Sequence, residues 1–248
     1  MTTDWRFRSA LFAAFIFLSF PAAAAPCDRP RDSAAAITDY TQSINSGKWK
    51  GRYLALYYSN RASAYRQQGD NDRAIADYNE AIRLDPNDGM ALLGRGIAFS
   101  DKGDNDHAIT DFSEVIRLDP KFARAFVTRG LAFSDKGDHD LAIADFSEAI
   151  RLDPKDTMAF NARGLAYQRK GDNDHAIADL SEAIRLDPQD AGAFKGRGIA
   201  YRKKGDPDRA IADLSEAIRI DPKDATSFIV RGGAFGYKGD FEDRKSVV

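Results

Sequence analysis

The chain has 248 residues, 38 acidic and 36 basic, with a formal charge of -2. This near balance offers no field that would collect nucleic acid or an anionic lipid surface, and an ordinary apolar content of 43% excludes an extended disordered tract. Alanine and charged residues are plentiful and β-branched runs are scarce, a mixture that favours helix over sheet.

In chain order, the first segment has the pattern of an export leader. Arg6 and Arg8 precede the twelve-residue apolar run Ser9 to Phe20, and Pro21-Ala22-Ala23-Ala24-Ala25 offers small residues for cleavage near Ala24 or Ala25. The run is shorter than the ~20 residues that cross a bilayer. Residues 1–25 are therefore expected to be a signal peptide, leaving a periplasmic or secreted protein with no membrane span after cleavage; an uncleaved anchor or a buried helix is the alternative. Cys27 is the only cysteine. It is a free thiol or an intermolecular disulfide partner, and Pro26 before it argues against lipid attachment. Residues 26–54 read as a linker and a capping helix. Within them Ala36-Ile37-Thr38-Asp39-Tyr40 echoes Ala74-Ile75-Ala76-Asp77-Tyr78, which predicts a lone helix over 31–46.

An internal repeat then takes over. Pro86, Pro120, Pro154, Pro188 and Pro222 stand 34 residues apart, each closing a phrase such as AIRLDP. A second phrase precedes each: NRASAYRQQGD at Asn60, GRGIAFSDKGD at Gly94, TRGLAFSDKGD at Thr128, ARGLAYQRKGD at Ala162 and GRGIAYRKKGD at Gly196, with a further copy, VRGGAFGYKGD, at Val230. Both phrases scan as helices. Phe160, Gly164 and Tyr167 form one apolar stripe, and Ala176, Ile177, Leu180, Ala183 and Ile184 form the stripe that faces it. Gly171 suits the left-handed end of the first helix, and Asp172 and Asp190 suit N-caps. Asp187-Pro188 ends the second helix, because a residue before proline avoids helical geometry. One such pair cannot bury its own apolar face, so pairs must stack. Gly96, Gly130, Gly164 and Gly198, with Ala108, Ala142, Ala176 and Ala210, permit close approach, and Phe99, Phe133, Tyr167 and Tyr201 fill the space between pairs.

The period and the order of small residue, aromatic, Gly, Ala, aromatic or Leu, Ala and Pro resemble the tetratricopeptide repeat (TPR) family. The resemblance implies an all-α, right-handed TPR α-solenoid of helix-turn-helix repeats, at 55–88, 89–122, 123–156, 157–190 and 191–224, with a partial repeat at 225–240 and a tail at 241–248. It also implies that first helices line a concave groove for an extended or helical peptide. The groove positions are Leu56, Asn60, Ser63, Met90, Leu93, Ile97, Val127, Thr128, Leu131, Met158, Asn161, Leu165, Lys195, Ile199 and Thr226. The core stripe does not require these side chains, so the set is expected to form a binding surface; tucking against a neighbouring helix is the alternative for each. Asp101 and Asp135 at the groove edge give way to Arg169, Arg202 and Lys203, which suggests an amphipathic partner with its acidic end toward the later repeats. Family members that clamp a C-terminal carboxylate use Lys and Asn at positions that here hold Leu93, Val127, Ser63 and Ile97, so that mode is disfavoured.

Other recurrent groups read as structural. Arg61, Arg95, Arg129, Arg163, Arg197 and Arg231 match Asp77, Asp111, Asp145, Asp179 and Asp213 in spacing; bridges between helices are favoured over an anion-binding ladder, at ~0.2–1 kcal/mol for a partly exposed pair. Glu80/Arg83 and their equivalents are surface pairs three residues apart. Turns such as Gly103-Asp104-Asn105-Asp106 are too short for a calcium loop and suit helix capping. His107, His139 and His175 have no metal-type spacing. No cofactor, metal or catalytic group is expected, and the chain reads as a non-enzymatic scaffold for a protein or peptide. At the far end, Phe228, Ile229, Val230, Phe235 and Tyr237 with Gly232-Gly233 make a poor polar cap. Self-association through that end, in a structural component of the cell envelope, is the alternative function.

Overall fold

A computed structural model describes residues 32–246, so the segment expected to be a signal peptide and Cys27 lie outside the described residues. Among these residues the chain is all-α, with twelve helices. They are α1 (Ser33–Asn45), α2 (Gly51–Gln67), α3 (Asn71–Leu84), α4 (Gly89–Asp101), α5 (Asn105–Leu118), α6 (Ala123–Lys136), α7 (His139–Leu152), α8 (Thr157–Lys170), α9 (Asn173–Leu186), α10 (Ala191–Lys203), α11 (Pro207–Ile220) and α12 (Ala225–Ser246). None of them is long and apolar enough to cross a membrane. The chain divides into two compact units at Lys102/Gly103.

Each unit is a stack of antiparallel helix hairpins of the TPR solenoid type. In the first, α2 packs on α1, α3 and α4, and α3 packs on α4. In the second, successive helices from α5 to α12 pack in turn, and α6/α8, α8/α10 and α10/α12 also touch. The punctuation is local chemistry. Gly171 ends α8 at φ 84, a left-handed conformation that costs glycine little. The Asp172 carboxylate then accepts from the His175 N–H at 3.2 Å and caps α9. Asp70, Asp88, Asp104, Asp156, Asp190 and Asp206 cap their helices in the same way. Helices α2, α6 and α7 depart from this: Lys50 and Phe122 at the first two N-caps offer no side-chain acceptor, and Asp138 at the third makes no cap bond.

The core repeats with the sequence. Tyr78, Phe112, Phe146, Leu180 and Leu214 occupy one position of the second helices and are fully buried. Small residues face them. A Cβ at Gly130 would come within 2.7 Å of Phe146 Cε1, one at Gly164 within 2.8 Å of Leu180 Cγ, and one at Gly198 within 2.8 Å of Leu214 Cγ. Burying each large side chain contributes ~1.5–3 kcal/mol, and the absent Cβ is what lets the helix pair close over it.

The ends differ from the repeat arithmetic. Helix α2 starts at Gly51, before the repeat start at 55, and α1 spans 33–45. Helix α12 does not stop near Gly239, where the earlier first helices end, but runs on through 241–246 as one helix.

Candidate functional site: the faces of the first helices

The arginine series is built into the stack. Arg163 donates from Nε and Nη2 to the two carboxylate oxygens of Asp179, at 2.7 and 2.8 Å, and from Nη1 to Ser147 Oγ at 3.0 Å. One guanidinium thereby joins α7, α8 and α9. Arg129 repeats the pattern with Asp145 and Ser113, and Arg197 with Asp213 and Ser181. In the first unit Arg61 does so with Asp77 and Thr41. Asp77, Asp145, Asp179 and Asp213 are all buried. That corrects the expectation of partly exposed pairs, because each carboxylate is held between its two helices. The guanidinium pKa of Arg163 is raised, first by its bond to Asp179 and against the effect of burial. Such an arginine is committed, and an anion-binding ladder would have to break these contacts. A second register follows outside: Lys102 bonds Asp72 at 2.5 Å and Lys238 bonds Asp208 at 2.7 Å. Lys136–Asp106, Lys170–Asp140 and Lys204–Asp174 repeat it.

The expected groove positions divide. In the first unit Leu56, Asn60 and Met90 are exposed, but Leu93 and Ile97 are buried, and the Ser63 hydroxyl shares a 2.9 Å bond with that of Tyr78. Asp101 lies 3.7 Å from Arg66 Nη1. In the second unit Val127 is buried within the core of Phe126, Ala142, Phe146 and Ala159, and Leu131 packs against that core. Thr128 is buried too, its hydroxyl donating to the carbonyls of Arg124 and Ala125. Leu93, Ile97, Val127 and Thr128 thus correct the expectation of a face that packing leaves alone. For Val127 the reason is that α6 is covered by α5, α7 and α8 together, so more than one stripe is enclosed.

Helix α8 keeps an open face. Met158 is 44% exposed and Leu165 37% exposed. They stand one turn before and one turn after Asn161, which is half-buried and donates from Nδ2 to Asp190 Oδ2 at 2.6 Å. Lys195, one repeat later, reaches Asp224 Oδ2 at 3.1 Å. Asn161 and Lys195 therefore tie one first helix to the N-cap of the next. Ile199 is half-buried and Thr226 exposed. Arg169, Arg202 and Lys203 are exposed, as is Asp135; Arg169 Nη1 donates to Ser134 Oγ at 3.0 Å and Lys203 Nζ reaches the Gln168 carbonyl at 3.5 Å.

The N-cap carboxyls of Asp156 and Asp224 titrate differently. Burial pushes the Asp156 carboxyl up, outweighing its bonds from the Ala159 and Met158 N–H groups. At Asp224 burial also pushes up, but the Ser227 hydroxyl and the Lys195 ammonium outweigh it and bring the carboxyl below its usual range. The position that holds Asn161 and Lys195 in later repeats holds Val127 in the repeat before Asp156.

Among the described residues no group of three or more His, Cys, Asp and Glu could hold a metal ion. His107 and His175 each bond the Asp that caps their own helix, Asp104 and Asp172, at 2.7 Å. What the open faces can do is bind: exposed thioether and leucine side chains flanked by cations take up apolar side chains by contact and acidic groups by charge.

Comparison with known proteins agrees with this geometry. Family models described as tetratricopeptide repeat match residues 161–225 and 91–122, and one described as TPR repeat matches 62–103 and 130–171. No curated protein matches the chain. Among solved structures, YrrB, described as a TPR protein with an unusual peptide-binding site, is 25% identical with a TM-score of 0.62, over 78% of this chain and 97% of its own. MamA is 30% identical with a TM-score of 0.61, over 66% of this chain and 96% of its own. A repeat protein from Parabacteroides merdae is 23% identical with a TM-score of 0.60, over 82% of this chain and 78% of its own, and shares the fold. The stacked hairpins, the repeat-by-repeat family matches and the likeness to MamA together show that the chain belongs to the tetratricopeptide repeat family.

Proposed function

We propose that the chain is an exported, non-catalytic adaptor that holds an apolar peptide or amphipathic helix against the first helices of its second unit. The observation that carries this is the pair Met158 and Leu165, exposed on one face of α8 while Asn161 between them is engaged. A helix-in-groove or extended-peptide ligand is read by anchors at such spacing. The description of YrrB as a TPR protein with an unusual peptide-binding site supports peptide binding in general. Arg169, Arg202 and Lys203 would steer the acidic end of the ligand, mainly through its on-rate. Export rests on Arg6, Arg8 and the apolar run that follows.

Photo-crosslinking from Met158 and Leu165 in intact cells, with Glu182, half-buried on α9 and paired with Arg185, as control, tests the site. Adducts to one protein from Met158 and Leu165, absent from Glu182, are expected. Equal labelling from all three would sink the binding face, and recovery of the protein in the cytosolic fraction would sink export.

A second reading, a self-associating component of the cell envelope, is favoured by α12, where Phe228, Ile229, Phe235 and Tyr237 are all exposed.

A further inference from the structure

The two ends of the described array are complementary halves of one hairpin. Helix α12 is a first helix: Arg231 donates from Nη1 to Ser215 Oγ at 3.1 Å, as Arg163 does to Ser147. Among the described residues no second helix follows it, since α12 continues as a single helix through 241–246. Three features show what is uncovered. Phe235 occupies the position of Phe133, Tyr167 and Tyr201, each of which packs on the core of its own hairpin, yet Phe235 is 53% exposed. Gly232 occupies the position of Gly130, Gly164 and Gly198, whose missing Cβ atoms would meet Phe146, Leu180 or Leu214; a Cβ at Gly232 would meet nothing within 4 Å. The residue sixteen after Arg231, where the partner Asp stands in the repeats with a bidentate Arg–Asp bridge, is Val247.

Helix α1 is a second helix. Its Thr41 accepts from Arg61 as Ser147 accepts from Arg163. In the same register Asp39 holds the place of Asp77, and Tyr40 the place of Tyr78. Asp77 and Tyr78 are buried, whereas Asp39 is exposed and Tyr40 half-buried. Among the described helices α1 packs only on α2, and no first helix packs on the side of α1 that one covers in a complete hairpin.

We propose that copies of this chain join head to tail, with α1 of one copy docking on α12 of another as its missing second helix. The occupant is a second copy because α1 carries the residues that α12 lacks. Asp39 supplies the carboxylate for Arg231, and Tyr40 fills the seat above Gly232. This deepens the self-association reading and rests on it, while owing nothing to the Met158–Leu165 face. A contact between two different surfaces is heterologous, and it joins copies in an open chain or a closed ring.

Sedimentation velocity on the full chain, with reductant present to exclude a Cys27 disulfide, measures this directly. Mass should rise above that of the monomer as protein concentration increases. D39R and R231D should each weaken association about 30-fold or more, since each removes half of a desolvated charge pair. The double charge swap D39R/R231D should restore it. Gly232→Leu, at a position with open space, should leave the monomer folded by circular dichroism and block association, which guards against misfolding of R231D. A monomer at all concentrations overturns both the docking and self-association. Association that survives D39R but fails in Gly232→Leu leaves self-association through α12 standing and overturns the role of α1.

Discussion

Replacing Arg163 by Met tests whether the arginine series is structural. The guanidinium makes three bonds, two to Asp179 and one to Ser147, at 2.7 to 3.0 Å. The side chain of Asp179 is 10% exposed and that of Arg163 20% exposed, so water can replace little of what is lost. Hydrogen bonds to charged groups contribute ~1.5–3 kcal/mol net, and removing one partner of a buried pair costs ~3–5 kcal/mol. The residual exposure of the guanidinium lowers that figure, so a loss of about 2–4 kcal/mol is expected. Replacing both partners, Arg163→Met with Asp179→Leu, removes the stranded carboxylate and should recover to within about 1–2 kcal/mol of the parent. Urea denaturation of the four proteins of this double-mutant cycle gives the coupling energy, and amide exchange in α8 and α9 shows whether the loss is local, as nearest-neighbour stacking requires. A single-mutant cost below ~0.5 kcal/mol with no coupling would place the pair with ordinary surface ion pairs and would refute the claim that these arginines are committed to the stack.

Gly164→Ala should destabilise by ~1–3 kcal/mol despite the better helix propensity of alanine, because the new Cβ would lie 2.8 Å from Leu180 Cγ and 3.3 Å from the Ala176 carbonyl; thermal unfolding measures it. Asp156 and Asp224 should give pH dependences of opposite sign. The raised Asp156 pKa favours the folded state below the unfolded value of ~3.9 and penalises it as pH rises through the folded pKa. Asp156→Asn keeps a side-chain acceptor for the Ala159 N–H and should gain stability over the parent as pH rises from about 4 toward 7. The lowered Asp224 pKa contributes stability that is present above the unfolded value and lost as pH falls through the folded pKa. Asp224→Asn should therefore cost stability near neutral pH and little in acid, as denaturation curves at the two pH values would show. Met158→Glu with Leu165→Glu should leave unfolding within about 0.5 kcal/mol of the parent, since both side chains are exposed, and should abolish the crosslinked partner.

Much of this architecture is legible in the sequence. The 34-residue spacing of Pro86 to Pro222 states which positions are equivalent, and helical periodicity states which side of each helix is apolar. The Gly171-Asp172 punctuation and the match of Arg163 to Asp179 follow from residue chemistry alone, because capping and bidentate pairing act over one or two turns or across one hairpin. The exposed aromatic residues of α12 were also visible as an ill-suited cap.

Tertiary structure decided what lies between hairpins. Val127 and Met158 are both aliphatic side chains expected on first-helix faces, yet one is buried and the other 44% exposed. Burial depends on how many helices approach from the sides, and a linear period does not record that. The third arm of each arginine staple, on Ser113, Ser147 or Ser181, and the Lys102–Asp72 register thirty residues apart both cross from one repeat to its neighbour. Sequence alone presents Asn161 and Lys195 as ligand contacts because their partners, Asp190 and Asp224, lie a full repeat away and meet them only when first helices stand side by side. Periodicity determines the hairpin and the equivalence of its copies; the distance of closest approach between copies, set by packed glycine and alanine, decides which side chains remain available to a partner.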